Sequence, residues 1–148
     1  MKTGAALVVG AIWTALSAHA TPLFPVNQRF EVISVDHREL VHNRTKLLFV
    51  RPAFLDNDFP FEIMDVRVAT GCNNWGLTVK ATQTGEFDLV FFRQTSMWCG
   101  DISEVEQQVT QALLTTRRWR MDGEVLILEG DARDLRLAPI AQNEDQSR

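Results

Sequence analysis

Two cysteines are the side chains best placed to do chemistry in this chain of 148 residues. Cys72 sits in Gly71-Cys72-Asn73-Asn74-Trp75, and Cys99 closes Thr95-Ser96-Met97-Trp98-Cys99. As a nucleophile, either would need a histidine or another cation beside it to form thiolate. The three histidines are His19, His37 and His42, none of them near a cysteine in the sequence. As a redox pair, the two lack the Cys-x-x-Cys spacing of dithiol oxidoreductases. As a disulfide, they would close a loop of about 28 residues and stabilise the fold by about 3–4 kcal/mol in the chain-entropy account. The alternative is a pair of buried free thiols.

The other candidate clusters are weaker. His37, Glu39 and His42 form His-x-Glu-x-x-His, a spacing that matches no fixed zinc motif, in a segment that reads as a polar loop between strands. Asp56, Asp58 and Glu62 lie in another loop, but calcium loops need more ordered oxygen ligands and a glycine turn. No metal ligand, cofactor or catalytic residue is therefore expected. Arg117, Arg118 and Arg120 crowd one strand arm, either as an anion or partner patch or as charges that blunt a sheet edge. Trp75, Trp98 and Trp119 are either core residues or, where exposed, a partner-binding patch. The candidate partner-binding set is Trp75, Trp98, Arg117, Arg118 and Arg120.

The N-terminus bears on which cysteine chemistry applies. Lys2 is the only charge before Arg29, Gly4 to Ala18 is apolar or small, and Ala18-His19-Ala20 is an Ala-x-Ala processing site. A cationic start, a short apolar run and a small-residue site define a signal peptide, cleaved here after Ala20. The run is too short to span a bilayer, which takes about 20 residues. Export would place both cysteines in an oxidising compartment, periplasmic or extracellular, where an even count favours a bond. No cysteine stands at the junction, so there is no thiol to acylate and no lipid anchor is expected. Without residues 1–20 the chain carries 14 basic and 19 acidic side chains. That balance argues against nucleic acid and against electrostatic docking on anionic lipid.

Strand-like runs surround these residues. Phe30–Val35, Thr45–Val50, Phe61–Ala69, Leu77–Ala81 and Phe87–Phe92 show period-two patterning or β-branched and aromatic enrichment. One helix follows. Ser103 is its expected cap, with Glu106 three residues on as a capping box. Val105, Val109, Ala112 and Leu113 form its apolar stripe, and Gln107, Gln108 and Gln111 its polar side. Three strands close the chain: Arg118–Met121 and Glu124–Leu128 around an Asp122-Gly123 hairpin turn, then Leu135–Leu137. Short connections imply antiparallel neighbours. The expected fold is α+β: a curved antiparallel sheet of about eight strands, a part-open barrel, with one amphipathic helix in the order five strands, helix, three strands. Residues 21–140 form the domain and 141–148 a polar, disordered tail.

Gly71-Cys72-Asn73 after a strand, then Thr95-x-Met97-x-Cys99 before an amphipathic helix, resembles the META/HslJ-like family over about residues 28–138. The resemblance implies an α+β domain of small bacterial envelope proteins linked to heat shock and stress, with no established enzymatic activity and no catalytic residues to carry over. Many members are lipoproteins; this chain departs from them in lacking the lipid-accepting cysteine. The expected function is non-enzymatic: support of envelope integrity or stress tolerance through binding of an envelope protein or cell-wall component. The alternative is a periplasmic inhibitor of a lytic or proteolytic enzyme, which a rigid loop with an exposed anchor residue such as Trp75 or Arg51 would favour.

Overall fold

Alternation of buried and outward-facing side chains is clearest in the long central strands of the computed structural model, which describes residues 23–40, 45–53, 60–95, 97–100 and 102–141. The segment read as a signal peptide, His42, Asp56, Asp58 and the tail from Gln142 lie outside the described residues. The elements are β1 (Gln28–Val35), β2 (Arg38–Glu39), β3 (Lys46–Val50), β4 (Phe61–Ala69), β5 (Asn74–Thr82), β6 (Phe87–Gln94), α1 (Ile102–Thr115), β7 (Thr116–Asp122), β8 (Val125–Gly130) and β9 (Leu135–Pro139). All strand pairs are antiparallel and make one sheet in the order β6-β5-β4-β3-β1-β9-β8-β7, with the two-residue β2 paired to β1.

The sheet curls until its two edges meet briefly. Glu86 bridges Arg118, and Trp119 N–H donates to the Gly85 carbonyl at 2.8 Å. The Trp119 indole N–H reaches the Thr82 carbonyl at 2.8 Å. Beyond this seam β6 and β7 are joined through α1 rather than by a ladder, so the sheet is a nearly closed barrel, and α1 packs against β1, β8 and β9. Gly85 makes the seam possible: it holds φ 90°, and a Cβ there would stand 3.0 Å from the Trp119 carbonyl oxygen.

Inward positions follow the strand period of two. Trp75, Leu77, Val79 and Ala81 of β5 face the core with Met64, Val66 and Val68 of β4, Leu47 and Phe49 of β3, Phe30 and Val32 of β1 and Leu135 and Leu137 of β9. Phe24, ahead of β1, packs edge-on to Phe49 and Trp119, each at 5.0 Å between ring centroids. Burial of each such ring stabilises the fold by about 1.5–3 kcal/mol. From α1, Val109, Ala112 and Leu113 are buried in the same core, with Val105 packed against it. The helix stops without glycine: the hydroxyls of Thr115 and Thr116 donate to the carbonyls of Gln111 and Ala112, both at 2.8 Å, and the chain enters β7 directly.

Four expectations are corrected. The strand after Cys72 begins at Asn74 rather than Leu77, because Trp75 has a buried position opposite Val68 in the ladder. The β7–β8 hairpin turns on Gly123-Glu124, one residue later than the Asp122-Gly123 signal, because Asp122 pairs with Val125 and Gly123 supplies the positive φ of 62° at the first turn position. The helix begins at Ile102, so Ser103 lies inside its first turn, and Glu106 is bonded elsewhere. Among the described residues six strands precede the helix, because Asp36 and His37, at φ 48° and 62°, form a two-residue turn that sets β2 on β1.

Candidate functional site

The two cysteine segments meet where the sheet opens. Cys72 and Cys99 are bonded, with Cα atoms 5.9 Å apart. The bond ties the β4–β5 turn to the loop between β6 and α1.

Inside this staple, Asn73 is the central polar residue and is buried. Its Nδ2 donates to the Met97 carbonyl and to Glu106 Oε2, both at 2.9 Å. Its Oδ1 accepts the Met97 backbone N–H at 2.8 Å and the Thr95 hydroxyl at 3.3 Å. The two bonds to Met97 mimic one rung of a β-ladder and hold the loop in register with no strand present. Thr70 shapes the turn from below. Its Oγ1 accepts the Asn73 N–H at 3.0 Å and lies 3.1 Å from the Asn73 carbonyl oxygen, to which its hydroxyl donates. Gly71, at φ 90°, completes the turn.

The loop pinned in this way exposes its two largest side chains. Met97 is 62% and Trp98 77% exposed, beside neighbours held by the disulfide and by Asn73. Single exposed apolar residues are ordinary, whereas an aromatic on a rigid loop is the kind of side chain that anchors a partner. Val90 and Phe91, at the bulge of β6, are also exposed. Between the loop and α1 lies a groove of about 460 Å³, lined by Met97, Trp98, Glu106, Thr110, Gln111 and Leu114 among others. Glu106 is 4% exposed, and its Oε1 has no hydrogen-bond partner; neither has Thr110 Oγ1.

The fold brings Gly71, Cys72, Asn73, Thr95, Met97 and Cys99 into one cluster, with Trp98 on its outer side. It does not bring the other candidates there. Trp75 is 5% exposed and packs edge-on to Phe92 at 5.8 Å, so it offers a partner no face. Arg117, Arg118 and Arg120 lie on β7, and two of them are ion-paired: Arg117 with Asp131 at 3.0 Å and Arg120 with Glu129 at 2.7 Å. Their charges are therefore largely answered locally, on exposed pairs that salt screens. Arg51 is held by the Glu62 carboxylate through two bonds of 2.9 and 2.5 Å.

Glu106 and Thr110 belong to the site although neither stood out as a candidate. The available signal was helical spacing: Glu106 precedes Val109 and Leu113 by three and seven residues, which places a carboxylate on the buried face.

Among the described residues no helix is long and apolar enough to cross a membrane. Neither a curated protein nor a solved structure matches the chain at a significant level. A family model, the META domain, matches residues 27–142, which include both cysteine segments, the helix and every strand. The chain belongs to the META domain family.

Proposed function

We propose that this META domain is an exported, non-enzymatic binding module that supports the cell envelope by recognising an envelope protein or cell-wall component through the Met97–Trp98 loop. The observation that carries the reading is the pairing of exposure with rigidity. Trp98 is 77% exposed, yet its neighbours are fixed by the Cys72–Cys99 bond and by the two bonds from Asn73 to Met97. A preorganised aromatic anchor loses little conformational entropy on binding. Export is supported by the N-terminal cationic, apolar and Ala-x-Ala pattern and by a disulfide that an oxidising compartment would maintain. The absence of an enzymatic role is inferred from the site's make-up: its sulfurs are bonded to each other and its polar centre is an amide.

The test is capture from envelope extract on immobilised wild-type protein and on the Met97→Ala/Trp98→Ala variant. A component retained by the first and released by the second supports the reading. Identical retention by both abandons the loop as the recognition element.

The same stapled loop also fits an inhibitor of a lytic or proteolytic enzyme, by analogy with rigid inhibitory loops. Trp98 would be its anchor, since Trp75 is buried and Arg51 is paired to Glu62. Undiminished lysozyme and serine-protease activity in the presence of excess protein would set this second reading aside for those enzyme classes.

A further inference from the structure

Glu106 is the least satisfied charged side chain of the site. It is 4% exposed and lines the groove beside the Met97–Trp98 loop. One carboxylate oxygen takes a hydrogen from Asn73, and the other takes none. Taking a carboxylate out of water is costly unless donors or a positive charge replace the lost hydration. Asn73 supplies one neutral donor. The ten side chains lining the groove include no lysine, arginine or histidine, so no cation of the groove answers the charge.

The surroundings indicate what would. Oε1 of Glu106 and Oγ1 of Thr110 are both buried without partners, and the amide oxygen of Gln107 on the same wall adds a further acceptor, whereas that of Gln111 already accepts from Arg133 Nε at 3.1 Å, a guanidinium itself paired with Asp36. Trp98 presents an exposed indole, the aromatic group that attracts cations best. Met97 and Leu114 provide apolar surface suited to a short methylene chain. An anion would meet the Glu106 charge unopposed, and a purely apolar guest would leave both buried oxygens unpaired.

We propose that the groove between the Met97–Trp98 loop and α1 binds an alkylammonium group, with Glu106 as its counter-charge, Thr110 as a second acceptor and the Trp98 indole as its cover. The proposal rests on the reading of this loop as a recognition surface, and it narrows the chemistry recognised there. The ammonium arrives either on a free amine or as a lysine side chain of a partner protein. Both present the same N–H donors and positive charge on a methylene stem.

The experiment titrates the oxidised, ¹⁵N-labelled protein with n-butylammonium chloride, with N-acetyl-lysine methylamide and with n-butanol as the neutral isostere, at constant ionic strength. Saturable shifts of the Trp98 indole N–H and of the Thr110 and Gln111 amides are expected with both ammonium probes, and at least about tenfold weaker binding with butanol. Tighter binding of the capped lysine than of butylammonium identifies a partner lysine as the source, and equal binding identifies a free amine. Glu106→Gln keeps an acceptor for Asn73 and removes the charge; it is expected to weaken both ammonium probes about tenfold or more. Should that variant fold poorly, Trp98→Ala, altered at an exposed position, gives the parallel test and is expected to weaken the ammonium probes severalfold. Butanol binding as well as butylammonium, unchanged binding by the variants, or no saturable shift overturns the proposal. Capture that depends on Trp98 while the ammonium probes fail would leave the recognition reading standing and remove this one. Ammonium binding with no Trp98-dependent capture would do the reverse.

Discussion

Nδ2 of Asn73 donates to Oε2 of Glu106 at 2.9 Å across 33 residues of sequence, and both side chains are buried. This bond connects the β4–β5 turn to the first half of α1. The same amide group holds Met97 from both sides, through its carbonyl and its N–H. One side chain thereby coordinates turn, loop and helix, and removing it strands several buried groups together.

Asn73→Ala is accordingly expected to destabilise the protein by about 3 kcal/mol or more, since each unsatisfied buried group costs about 1–3 kcal/mol. Asn73→Asp should cost more still, because it sets a second carboxylate against Glu106 in place of a donor. Urea denaturation measures both. A loss below about 1 kcal/mol for the alanine variant would show that water takes over the amide's bonds.

Reduction of the Cys72–Cys99 bond, or the Cys72→Ser/Cys99→Ser double variant, should lower stability by about 3–4 kcal/mol. The Asn73 bonds still hold Met97 in the reduced protein, so the sheet is expected to persist. Denaturation with and without dithiothreitol checks the magnitude, and a reduced protein without β-sheet circular dichroism would mean that the staple is needed for folding itself.

Trp75 and Trp98 differ by burial alone and should respond in opposite ways. Trp98→Ala is expected to change stability by no more than about 0.5 kcal/mol, as other exposed positions do. Trp75→Ala should cost about 3–5 kcal/mol through the cavity it leaves beside Phe92. Thermal unfolding of the two variants in parallel separates a surface anchor from a core ring; equal losses would contradict the exposure of Trp98.

Gly85→Ala tests the barrel seam. The residue would have to hold φ 90° with its Cβ 3.0 Å from the Trp119 carbonyl oxygen, at a cost of about 1–3 kcal/mol. The Trp119 amide, which donates to the Gly85 carbonyl, should then exchange its hydrogen faster than in the wild type. Unchanged protection of that amide would show that the edges are held together by core packing alone.

The elements of the fold were legible because each is encoded locally. Strand alternation across Phe61–Ala69 and the Val109, Ala112 and Leu113 stripe are period-two and helical patterns that burial simply completes. Where local signals failed, a longer-range demand had outweighed them. Asn74 and Trp75 lie outside the expected Leu77–Ala81 strand, but pairing with Ala69 and Val68 drew them into it. Glu106 read as a helix cap, but a buried amide from another part of the chain took its carboxylate.

What the sequence determined by itself was the helix and every described strand but the two-residue β2, the antiparallel class and the family resemblance carried by the two cysteine segments. Only the tertiary structure decided which tryptophan is a surface residue, that Arg117 and Arg120 spend their charges on Asp131 and Glu129, and that a groove with an unpaired carboxylate oxygen lies beside the stapled loop. The reason is physical: periodicity is a property of neighbours along the chain, whereas exposure and hydrogen-bond satisfaction depend on which distant residues the closed sheet brings within about 3 Å.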